Sequence, residues 1–128
     1  MLVKIDTKQK FHVITLNSPD LSANMTAELN NSLLPLLQNQ VKNIVFSLSN
    51  LASIDTAGGE CLAKLQQYFY ENNASFVFCD MQKPIENFLD EQGLLELMNV
   101  TPTESEAWDI VQMEEIEREL LSEDEAPE

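Results

Sequence analysis

The pattern of apolar and polar positions divides this 128-residue chain into short extended runs alternating with longer helical ones. Residues 1–7 and 11–16 read as two strands joined by a polar turn at Lys8, Gln9 and Lys10. Alternation puts Phe11, Val13 and Thr15 on one face and His12, Ile14 and Leu16 on the other. Asn17-Ser18-Pro19-Asp20 is a turn cluster. Ser22 stands as an N-cap before Met25, Leu29, Leu33, Leu36 and Leu37, whose helical spacing runs to about Gln38. Pro35 removes a backbone hydrogen bond from that helix and predicts a kink or a stop near it.

Residues 43–48 (NIVFSL) form a β-branched, apolar run of the kind found inside a sheet. A helix from about Ala57 to Asn72 follows, with Cys61, Leu62, Leu65, Tyr68 and Phe69 as its inward positions. Residues 75–79 (SFVFC) are a further strand. Pro84 suits the first turn of a helix that passes Phe88 and Leu89 and stops at Gly93. A last short strand is expected within residues 97–101. Thr103 and Glu106 have capping-box spacing and open a final helix of about 18 residues, over 104–121. Its apolar stripe (Ile110, Met113, Ile116, Leu120) is expected to pack on the domain, with Trp108 at its core-facing start and an ion pair between Glu114 and Arg118. Residues 122–128 read as an acidic, disordered tail. Strands alternating with helices imply one α/β domain, a mixed sheet of four to five strands with about four helices.

Charge changes the picture of partners. The chain carries 22 acids against seven bases, a formal net charge of −15, and from residue 104 onward Arg118 is the only base. Nucleic acids and anionic membranes are repelled by such a surface, since binding them needs clustered Lys and Arg; basic partners are attracted. Cys61 and Cys79 sit among apolar residues and match neither a zinc site nor a disulfide framework, so they read as reduced core thiols. Charges at Lys4, Asp6, Lys8 and Lys10 interrupt any signal-peptide core, and no apolar run approaches the roughly 20 residues of a membrane span. A cytoplasmic protein is the expectation.

The stretch from Asn43 to Gly58, an apolar strand and short loop leading into Asp55-Thr56-Ala57-Gly58, resembles the strand–loop–helix signature of STAS domains. The later strand SFVFCD, Pro84, Phe88, Gly93-Leu94 and Glu106-Ala107 repeat the family's order, so the resemblance spans roughly residues 2–121. It implies a STAS-like fold and the role of an anti-sigma factor antagonist. In that branch the hydroxyl residue after the Asp is phosphorylated by an anti-sigma factor that is also a kinase; here that residue is Thr56. The implied partner surface is Asp20, Ser22, Asp55, Thr56, Ala57, Gly58, Gly59 and Glu60. Ser22 stands where the family commonly has an acid, with Asp20 two residues earlier. Gly59 and Glu60 replace the family's apolar and small residues after the motif glycine.

Other readings of the same residues stay open. Asp55 and Thr56 are both good N-caps and need no kinase to explain them. The resemblance extends to STAS subunits of lipid-transporting ABC systems, which dock on an ATPase, and to scaffolds without a switch; a homodimer is also open. Enzymatic function lacks its parts. His12 is the only histidine and lies on a strand among apolar residues, neither Cys has a recognisable base, and phosphate-binding or nucleophile-elbow glycine motifs are absent from the sequence. Gly58-Gly59 reads as a tight loop. No cofactor and no metal are implied.

Overall fold

The structure, a computed structural model, describes residues 2–125, with side chains described to Leu121. Its strands are β1 (Val3–Thr7), β2 (Phe11–Leu16), β3 (Asp20–Leu21), β4 (Asn43–Ser47), β5 (Ser53–Ile54), β6 (Phe76–Cys79) and β7 (Val100–Thr101). Its helices are α1 (Thr26–Leu33), α2 (Thr56–Glu71), α3 (Lys83–Glu91) and α4 (Glu104–Glu125). Five strands form the main sheet in the order β1-β2-β4-β6-β7. β1 and β2 are an antiparallel hairpin, and every later neighbour is parallel. The expected mixed α/β sheet with four helices is therefore the observed one.

Each crossover from β2 onward moves one place in the same direction across the sheet. Such connections are right-handed, so α1, α2 and α3 must all land on one face. They do. Ile14, Leu16, Ile44, Phe46, Phe76 and Phe78 meet Leu29 and Leu33 of α1, Leu62, Leu65 and Phe69 of α2, and Ile85 and Leu89 of α3. The alternate residues Phe11, Val13, Val45, Val77 and Cys79 face Ala107 and Val111 of α4. β4 and β6 are buried on both faces, which is why their sequences are continuously apolar instead of alternating. The faces assigned to β2 hold. His12 is buried, its Nε2 donating to the Val41 carbonyl at 2.8 Å and its Nδ1 facing the Thr7 hydroxyl at 2.8 Å. It is a structural residue.

Several local expectations change. The long helix from Ser22 breaks into a 3₁₀ turn (Ala23–Met25), α1, and a second 3₁₀ turn (Leu34–Gln38) that carries Pro35 near its start. Ser22 does not cap; its hydroxyl turns to the Asn24 side chain. Tyr68 points outward, 49% exposed, because the inward stripe of α2 is already filled by Leu62, Leu65, Gln66 and Phe69. Gly58 and Gly59 are not loop residues but lie in the first turn of α2.

The largest correction concerns α4. It runs for 22 residues, so residues 122–125 of the expected tail are helical backbone, while 126–128 lie outside the described residues. Glu106 N–H does bond the Thr103 hydroxyl at 3.2 Å, as capping predicts. Of the predicted stripe, however, Ile110 alone packs on the domain, whereas Met113, Ile116 and Leu120 are each more than half exposed. The face turned to the sheet is Ala107, Val111, Glu114, Glu115 and Arg118, at spacings of four and three. Polar contacts decide this rotation. Arg118 donates to Asn43 Oδ1 and Ser75 Oγ at 3.1 Å and pairs with Glu115 at 3.2 Å, not with Glu114. Asn43 Nδ2 donates to Glu115 at 2.7 Å. Glu114 instead accepts from the Tyr70 hydroxyl at 2.7 Å, and Asn99 donates to that same hydroxyl at 3.0 Å.

Burial, followed by the adjacent Asp80 carboxylate, pushes the Cys79 thiol up from 9.0 to about 12. A thiol that keeps its proton longer in the folded chain stabilises below pH 9 and loses that contribution as pH rises toward 12. Urea denaturation of wild type and Cys79→Ala should therefore show a steeper alkaline loss of stability in wild type across that window. Equal slopes would contradict it.

Candidate functional site

The site grows out of two loops that the sequence leaves irregular. β3 and β5 pair in parallel, with Asp20 opposite Ser53 and Leu21 opposite Ile54. The Pro19 carbonyl accepts from Ala52 N–H at 2.7 Å and Ser53 N–H at 2.9 Å, and the Ser53 hydroxyl donates to the Asp20 carboxylate. This two-stranded patch delivers the chain to Asp55, which is extended (φ −101°, ψ 176°) and caps α2.

Asp55 ties two helix starts together. Oδ1 accepts from Gly58 N–H at 2.7 Å, and Oδ2 accepts from Ala23 N–H, 32 residues away, at 3.0 Å. Its own N–H donates to the Leu21 carbonyl at 3.1 Å. The first N–H groups of a helix have no intrahelical acceptors, so one carboxylate supplies what neither terminus can supply for itself. This corrects the assignment of the first cap to Ser22: the acceptor comes from the second loop.

The two glycines explain themselves by contact. A Cβ on Gly58 would stand 2.6 Å from the Leu21 carbonyl oxygen, which is backbone and cannot swing aside. One on Gly59 would meet Leu89 and Leu94 at 2.8 and 2.9 Å, so this position lets α3 pack against α2. Both are buried. Of the predicted surface, Asp20, Asp55, Thr56 and Glu60 are exposed and Ser22 and Ala57 half-buried, while Gly58 and Gly59 shape that surface from beneath.

Thr56 is the first residue of α2 and is exposed. Its hydroxyl donates to Gln92 Oε1 at 3.3 Å, a long contact. Gln92 ends α3, and nothing around it in sequence except the helix-stopping Gly93 marked it as a neighbour of the site. Beside Thr56 a groove of about 290 Å³ opens between α1 and α2, lined by Ala23, Thr26, Asn30, Ala57, Glu60, Cys61 and Lys64. Burial pushes the Cys61 thiol up, with Lys64 opposing, so it is a poor nucleophile. Among the described residues no three His, Cys, Asp or Glu side chains are placed to hold a metal ion. Both Asp55 oxygens are engaged in caps. What the site leaves free is a surface hydroxyl on a rigid helix start.

The STAS domain family model matches residues 3–107. Among solved structures the fold is similar to an anti-sigma-factor antagonist (STAS) domain protein from Planctomyces limnophilus (15% identity, 86% of this chain and 97% of that one, TM-score 0.74). It is similar to the anti-sigma factor antagonist SpoIIAA in its unphosphorylated form (17%, 86% and 96%, TM-score 0.68) and to the Bacillus protein in its phosphorylated form (17%, 85% and 98%, TM-score 0.61). It also resembles part of the murine Slc26a9 anion transporter (15%, TM-score 0.68), covering 84% of this chain but 18% of the transporter. Curated protein sequences give no match.

Replacing Asp55 should destabilise in steps. Asp55→Ala removes both caps and should lower unfolding free energy by about 2 kcal/mol. Asp55→Asn, whose amide has one acceptor oxygen, should fall between. Gly58→Ala sets a helix-propensity gain of up to about 1 kcal/mol against the clash with Leu21, and the clash should win by a further 1–2 kcal/mol or so. Urea titration measures all three. A more stable Gly58→Ala protein would refute the close approach.

Proposed function

The chain belongs to the STAS domain family, and on that premise we propose that it is a non-enzymatic module of the anti-sigma factor antagonist kind. Its partner is an anti-sigma factor with kinase activity, and phosphorylation of Thr56 switches the binding. The observation that carries this reading is the division of labour between neighbours. Asp55 performs the capping for which Thr56 was the alternative candidate, so among the described residues the exposed Thr56 hydroxyl makes only one long bond, to Gln92. An exposed hydroxyl with little structural work is available to a kinase.

A phosphate there would add about −1.5 to −2 charges and three strong acceptors. The N-terminal dipole of α2 softens its cost within the domain, so the fold need not change. A partner surface seated over Asp20, Thr56 and Glu60 would instead face a hydrated dianion beside existing carboxylates. Losing about 3 kcal/mol of interface energy weakens affinity more than a hundredfold. The solved unphosphorylated and phosphorylated forms of SpoIIAA support modification as the mode of control.

A second reading is favoured by the transporter likeness: a docking module for a transport system, with Thr56 as a contact. Phosphopeptide mass spectrometry on protein from its host, grown with and without stress, separates the two. The switch predicts condition-dependent phosphate on Thr56. It also predicts that kinase-treated wild type, but not Thr56→Ala, releases the anti-sigma factor by about a hundredfold. Thr56 unmodified in every condition, and by candidate kinases in vitro, would sink the switch; co-purification with transporter subunits would then favour the second reading.

A further inference from the structure

We propose that the outward face of α4 docks a basic amphipathic helix of a partner protein. Met113, Ile116 and Leu120 are 55–63% exposed there, although three large apolar side chains together normally find cover. Among the described residues the domain does not supply it. Its own grip on α4 uses the opposite face, through Val111, Glu114, Glu115 and Arg118. The family match ends at Ala107, three residues beyond the start of α4 at Glu104. Nearly the whole helix is thus additional to the matched domain.

Charge selects the occupant. Residues 104–128 contain one base, Arg118, and the structure turns it inward onto Asn43 and Ser75. The exposed flanks of the stripe are Gln112, Glu117 and Glu119, and Asp109 lies one turn before Met113 on the stripe's own line. In coiled-coil terms, Met113, Ile116 and Leu120 take a, d and a, which places Glu117 at e and Glu119 at g. A second copy packed on this face would set Glu117 and Glu119 against Gln112, Asp124 or each other and would bring no base beside the seam to pair with them. A helix with Lys or Arg beside its apolar seam would meet complementary charge and cover the stripe.

The position is separate from Thr56. Arg118 contacts Asn43 at the start of β4, and Ser75 just before β6, whereas Thr56 follows the opposite ends of these parallel strands. Both surfaces can be occupied at once, and α4 would hold a partner independently of the switch.

The test uses the full-length protein and a fluorescent Leu/Lys peptide of about 18 residues patterned as an amphipathic helix. Controls are a scrambled peptide of the same composition and a Leu/Glu peptide of the same pattern. Anisotropy should show saturable binding of the patterned basic peptide, weakened at least about tenfold by scrambling or by Ile116→Ser with Leu120→Ser. Leu97→Ser, which removes an exposed leucine elsewhere, and Thr56→Ala should leave it unchanged, so its failure and that of the switch are separate results. Circular dichroism confirms that the serine variant is folded. Equal binding of the scrambled peptide, or no effect of the serines, would overturn the proposal. So would a wild-type dimer by sedimentation that the serines convert to monomer, since the occupant would then be a second copy.

Discussion

Everything at the functional end of this domain depends on one carboxylate placed between two helix starts. Asp55 accepts from Gly58 and from Ala23, and so joins loops that are more than thirty residues apart. The arrangement works only because the chain can come close. Gly58 leaves room for the Leu21 carbonyl, which in turn receives the Asp55 N–H. A side chain at Gly58 would push β3 from α2, and both caps would lengthen together. Local backbone satisfaction and the placing of a surface hydroxyl are therefore the same problem here, solved by the same residues.

That solution has a chemical consequence. A carboxylate whose two oxygens are both committed to backbone N–H groups is poorly suited to bind a cation or abstract a proton. His12 lies buried at the other end of β2, and both cysteines are buried thiols held in their neutral form.

The far end follows a different logic. The sheet face covered by α4 is apolar where Ala107, Trp108, Ile110 and Val111 pack on it; beyond them stand Asn43 at the start of β4 and Ser75 just before β6, whose polar groups need partners. Leaving those groups buried and unmatched would cost about 1–3 kcal/mol each, more than burying one further methionine or leucine partway would return. The helix therefore rotates its Arg118 and Glu115 inward and its apolar stripe outward. Satisfaction of a few strong polar groups outweighs the hydrophobic pattern.

Periodicity and local rules alone were enough for the order of elements, the two faces of β2, the stop near Pro35, the N-cap at Thr103 and the single α/β domain with one mixed sheet. The STAS resemblance was legible in the spacing of Asp55, Gly58, Pro84, Gly93 and Ala107. These are short-range or family-wide constraints, written into neighbouring residues. What required tertiary structure was every choice settled at long range. The cap of Ala23 comes from Asp55 and not from Ser22, Gln92 meets Thr56, and α4 packs with its polar side because Asn43, Ser75 and Tyr70 await it. The partners in those contacts lie 32 to 75 residues apart, and no local pattern records which distant polar group will be waiting when a helix arrives.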